Sequence, residues 1–146
     1  MGFRFPLETV LRLRRSLEDR ERLRLQMLLA RKTQLEYEAA ITRQAGRQLR
    51  ENVVQELEQG PLPAIEAQFV RQRSGACEIA AARIRQAKVT LEQQIDRQRA
   101  AYVERSIGRK VLERLRERQS ERYQSQAERR AQAQMEELAL LRRGRS

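Results

Sequence analysis

Few side chains in this 146-residue chain could carry covalent or proton-transfer chemistry. There is no histidine, and Cys77 is the single cysteine. Zinc sites built from paired Cys and His are therefore excluded, as are the Ser/His/Asp and Cys/His arrangements of nucleophilic catalysis. The six glycines stand apart, and none opens the GxxxxGK[ST] pattern that cradles phosphate. Carboxylates are plentiful, but many have a basic neighbour at helical spacing, the pattern of an exposed helix face. The expectation is a non-enzymatic protein with no cofactor and no metal, acting through its surfaces.

Composition points to the element that must build those surfaces. Charged residues make up 35% and aromatic residues 4%, with no Trp. Six Gly and three Pro are too few for a loop-rich fold. Ala, Glu, Gln, Leu and Arg dominate, all good helix formers, which is the signature of long helix or coiled coil. Leucines recurring at helical spacing argue against a disordered polyampholyte. A lone Cys77 allows no internal disulfide and suits a reducing compartment; a small buried residue is its expected role. The sequence predicts no signal peptide and no transmembrane segment, since no apolar run approaches the roughly 20 residues that span a bilayer.

The net charge of +11, from 31 basic and 20 acidic residues, calls for an acidic partner of some kind. Residues 1–59 carry 12 basic and 9 acidic groups, residues 60–103 carry 7 and 4, and residues 104–146 carry 12 and 7. A nucleic-acid arm would concentrate its charge in one block, as in the basic region before a zipper. Here acidic residues interleave throughout, so nucleic acid is not the expected partner, although an Arg-rich helical nucleic-acid binder or scaffold stands as an alternative.

Gly60-Pro61-Leu62-Pro63 divides the chain. Gly can end a helix in a conformation other residues avoid, Pro cannot continue one, and Pro63 can open the next. The sequence thus predicts an all-α fold, a long two-helix antiparallel coiled-coil hairpin forming a single domain over residues 1–146. Helix 1 is expected at about 7–59, the turn at 60–63 and helix 2 at about 64–141. On the first arm the seam is expected at Val10, Leu13, Leu17, Leu25, Leu28, Leu35, Ala39, Leu49 and Val53. A stutter is expected between Leu17 and Leu25, with loose packing at Lys32, Thr42 and Gly46. On the second arm Ile65, Phe69, Ala76, Ile79 and Ala80 lead into Ile84, Leu91, Ile95, Tyr102, Leu112, Leu115 and Tyr123, with a kink expected at Ser74-Gly75. Paired from the tip, residues 7–59 match about 63–117. Beyond about 118 helix 2 should run on alone, with Met135, Leu138 and Leu141 as a short apolar stripe and residues 142–146 as a fraying basic tail.

Two segments carry a family resemblance. The opening Phe3-Arg4-Phe5-Pro6-Leu7-Glu8-Thr9-Val10-Leu11-Arg12-Leu13-Arg14-Arg15 resembles the start of the flagellar export protein FliJ, whose members begin Phe-x-Phe-x-Leu-x-x-Val/Leu-Leu-x-x-Arg. The segment Arg109-Lys110-Val111-Leu112-Glu113-Arg114-Leu115-Arg116-Glu117-Arg118, ahead of a Gln/Glu/Arg-rich helix ending Glu136-Glu137-Leu138-Ala139, is similar to the family's C-terminal half. The resemblance implies a component of the flagellar type III protein export apparatus, cytoplasmic and peripheral to the inner membrane at the flagellar base. Its antiparallel coiled coil would resemble the gamma stalk of rotary ATP synthases. The implied partners are a hexameric flagellar export ATPase, a membrane export gate protein and export chaperones. Phe5, Arg12, Arg15, Arg109, Arg116 and Arg118 would form the ATPase-facing surface, because Arg pairs bidentately with carboxylates lining a pore. Phe69, Arg73, Ala76 and Ala80 would face the export gate. The equivalent stalk protein of a virulence injectisome is the nearest alternative.

Overall fold

The computed structural model describes residues 2–145; Met1, and Ser146 at the end of the expected basic tail, lie outside them. Two helices account for nearly all of it, α1 (Glu8–Gln59) and α2 (Ala64–Gly144), and no strand occurs among the described residues. The fold class is all-α, a two-helix hairpin.

Local chemistry sets the helix ends. Pro6 lies in the turn that opens α1, where the N–H of Glu8 donates to the Phe5 carbonyl at 3.2 Å and that of Leu11 to the Leu7 carbonyl at 2.9 Å. Glu8 in the first turn of α1 and Glu66 in that of α2 suit the positive ends of the helix dipoles, and Arg142 and Arg143 suit the negative end of α2. Gly60 stops α1 at a φ of 145°, where a side chain would be strained, and its N–H still reaches the Leu57 carbonyl at 3.3 Å. Pro63 then accepts the first bond of α2, from the Ala67 N–H at 3.0 Å. Ser74-Gly75 leaves α2 uninterrupted as a helix, and the helix runs past its expected end at about 141.

The chain divides into two compact units, one made of residues up to Glu21 with those from Tyr102 on, the other Arg22–Ala101. In the second unit Leu35, Leu91 and Ile95 form the buried centre, with Leu25, Leu28, Leu29 and Ala87 packed on it. Each such large side chain contributes about 1.5–3 kcal/mol relative to exposure. The seam on α1 here runs through the covered positions Leu25, Leu28, Lys32, Leu35, Ala39, Thr42, Gly46, Leu49 and Val53 in steps of three and four, with Leu29 and Glu38 covered beside it. In the first unit Phe5, Leu11 and Leu112 are the buried centre, with Phe3 and Leu115 against them. Both centres join residues of α1 to residues of α2 running the opposite way.

Three expectations about the seam are corrected. Val10 and Leu13 are exposed, and the seam residue is Leu11, which is fully buried. No stutter separates Leu11 from Leu25, because Arg14, Glu18 and Glu21 occupy the intervening positions at the same three-four spacing, all covered. A coiled coil tolerates charge in its seam when the partner helix answers it, so the heptad persists where the apolar pattern lapses. On α2 near the turn, Ile65, Phe69, Ala76 and Ile79 are exposed, while Ala67, Val70, Ser74, Cys77 and Ala81 are covered. Two apolar phases compete there, and the winner is the one in heptad register with Ile84, Leu91 and Ile95.

Candidate docking surfaces

In the first unit a charged layer sits in the seam. Glu18 is 9% exposed, and it accepts a hydrogen bond from Nε of Arg109 on α2. Arg109 Nη1 also donates to Glu113 at 2.7 Å, and Arg15 Nη2 donates to the other oxygen of Glu113 at 3.2 Å. Arg14 crosses to the Gly108 carbonyl at 2.8 Å. A β-carbon on Gly108 would lie 3.4 Å from that guanidinium, so glycine leaves room for this close contact. The Glu18 hydrogen bond, aided by the fields of Glu113 and Glu18 and opposed by desolvation, raises the Arg109 pKa above its ordinary value. Arg109 is therefore a fixed positive charge. No buried side-chain nitrogen or oxygen among the described residues lacks a partner.

Around this layer the predicted ATPase-facing residues separate into three groups. Phe5 is buried against Leu11 and Leu112, and Arg109 is held by two carboxylates. Arg15 pairs with Glu113, and Arg116 lies 3.5 Å from Glu8, both pairs partly exposed. Arg12 and Arg118 are exposed and make no ion pair among the described residues. Beside them Phe3, Arg15, Glu113, Arg116, Glu117, Ser120 and Glu121 line an open cleft of about 550 Å³. Phe3 closes one wall through a tilted ring contact with Tyr123 at 5.8 Å.

In the second unit the predicted gate-facing residues fall largely together. Phe69 is 57% exposed, with the Arg73 guanidinium 5.5 Å from its ring centroid, a cation–π arrangement. Ile65, Ala76 and Ile79 continue the same outward stripe, while Ala80 is half covered. The seam behind it is built mostly from small residues, and Thr42, Gly46, Leu49, Ser74, Cys77 and Ala81 border a cleft of about 270 Å³. Cys77 is a half-covered free thiol.

Sequence reasoning misses Leu11, the Glu18–Arg109 layer and Phe3. A signal for the first two is present, because Arg14, Glu18 and Glu21 bridge Leu11 to Leu25 in unbroken heptad steps. Charge alone makes such residues look solvated, and that hides the continuity. Among the described residues no cluster of ligating side chains could hold a metal, and no helix is long and apolar enough to cross a membrane.

These features define an all-helical coiled-coil hairpin whose free surfaces carry outward arginines and an outward apolar stripe centred on Phe69. The family model described as Flagellar FliJ protein matches residues 3–146, and the chain belongs to that family. It is thus a flagellar, export-related protein. Comparison with curated proteins and with solved structures returns no match.

Proposed function

We propose that this chain is the non-enzymatic central stalk of the flagellar type III export apparatus, one coiled-coil domain lying in the cytoplasm at the inner membrane. The end built from the start of α1 and the distal part of α2 engages the hexameric export ATPase, and the stripe just beyond the turn engages the membrane export gate protein. Assistance to export chaperones belongs to the same role. The observation that carries the reading is Phe69, a large aromatic held outward with Arg73 on its ring although seam positions lie beside it. Aromatics and arginines are the residues that dominate binding energy at protein interfaces. At the other site Arg12 and Arg118 are the arginines free to meet carboxylates on a ring, whereas Phe5 and Arg109 hold that surface in shape from within.

Two variants test the two contacts. Phe69→Ala should weaken binding to the cognate gate protein at least about tenfold while helicity is unchanged, since hot-spot aromatics cost about 2 kcal/mol or more when truncated. Arg12→Glu with Arg118→Glu should abolish stimulation of ATP hydrolysis by the cognate export ATPase and retention of the chain in its hexamers. Unstimulated turnover with the unmodified chain, or a Phe69→Ala protein that binds the gate normally, would sink the corresponding half of the reading.

A further inference from the structure

From Glu121 to Arg145 every residue of α2 and its last turn is exposed. Apart from the Tyr123 ring against Phe3, this segment, roughly 38 Å long, has no packed face of its own, and packing supplies most helical stability. Its residues at three-four spacing make one stripe: Gln124, Ala127, Ala131, Gln134, Leu138 and Leu141. Leu138 and Leu141 are each more than half exposed, with Met135 on the border. This stripe lies one residue later in phase than the seam position of Leu112, so it is turned about 100° round the helix from the seam. Charges on its flanks change sign along the helix. Arg130 and then Glu137 border one side, Glu121, Glu128 and then Arg142 the other, and none of the five makes an ion pair among the described residues.

We propose that residues 121–145 are a self-association surface, occupied by the same segment of a second copy packed antiparallel about a two-fold axis. In an antiparallel coiled coil each residue of one heptad layer faces the other layer type of its partner, and flanking residues meet their own kind. One register places Ala127 opposite Leu138 of the second copy, Ala131 opposite Gln134 and Gln124 opposite Leu141. Each alanine then faces a larger residue, which lets the helices interdigitate. In that same register Arg130 meets Glu137 of the second copy, and Glu121 meets Arg142. Two-fold symmetry makes each of these pairs twice, and none of these four charges faces a like one. A parallel, in-register pair would keep only Glu137 with Arg142, set Arg130 beside Met135 and align the helix dipoles unfavourably. The charge pattern therefore selects both the occupant and its direction. A lipid surface fits less well, because Arg145 falls on the stripe and Glu137 borders it. The proposal does not depend on the stalk reading.

Sedimentation of the full chain over a concentration series tests it. The unmodified protein should move from monomer to dimer. Arg130→Glu turns both copies of one attractive pair repulsive, and the dimer should weaken about tenfold or more. Adding Glu137→Arg to it restores the complementary pair and should recover most of the affinity, while Leu138→Glu should abolish association. Circular dichroism should read equal helicity for all of them at concentrations where the parent is monomeric, since every altered residue is exposed there. A chain that stays monomeric throughout overturns the proposal. So does an Arg130→Glu protein that dimerises normally, or a double variant no better than the single one, as parallel pairing would give.

Discussion

The sharpest test of the charged seam is to remove Arg109. Its side chain is 23% exposed and that of Glu18 is 11% exposed, so both charges have given up most of their water to face each other. Arg109→Ala leaves the Glu18 carboxylate covered without its cross-helix donor. Breaking a fully buried pair from one side costs about 3–5 kcal/mol, and the residual exposure here reduces the loss to about 2–3 kcal/mol. For a chain of this size that corresponds to a fall in melting temperature on the order of 5–10 °C. Glu18→Leu alone should cost less, because Arg109 keeps Glu113 at 2.7 Å and its own partial hydration. The double variant Glu18→Leu/Arg109→Leu removes both charges and continues the apolar packing of Leu11 and Leu112. It should be neutral or more stable by about 1–4 kcal/mol, as when buried ion pairs are replaced by packed hydrophobes. With Arg109→Leu added to close the cycle, thermal and urea denaturation of the parent, the two leucine singles and the double variant gives the coupling between the two positions. A double variant less stable than Arg109→Ala would refute the reasoning. It would mean that the pair supplies net stability and not chiefly the alignment of the helices.

Two further pairs of variants probe packing and backbone. Gly46 occupies a seam position, and an alanine β-carbon placed there would meet nothing within 4 Å, so Gly46→Ala should raise stability by about 1 kcal/mol in thermal melts. Gly60→Ala, at a φ of 145°, should instead lower it by about 1–3 kcal/mol. A stabilising Gly60→Ala would argue against that turn geometry. Phe5→Ala should destabilise by about 3 kcal/mol or more, because Phe5 is buried with Leu11 and Leu112. Phe69→Ala should stay within about 0.5 kcal/mol of the parent in the same urea titration. Equal losses at the two phenylalanines would place both in the core.

The family, the helical class and the break at Gly60–Pro63 rest on local properties, and the amino-acid sequence alone determined them. Gly and Pro act on their own peptide units, and helix propensity sums residue by residue. Lys32, Thr42 and Gly46 are legible as weak seam positions because the leucines around them keep a heptad in one dimension. The phase of the seam is not legible wherever two apolar stripes run side by side. Val10 or Leu11, Phe69 or Val70: each pair fits a helical repeat, and only the facing helix decides which member is covered. The same holds for Glu18 and Arg109, 91 residues apart in the chain. No local signal distinguishes a carboxylate bound for water from one bound for a guanidinium on the other arm. Burial is a property of the pair of helices, and the tertiary structure alone decided which arginines are structural struts and which remain free to meet a partner.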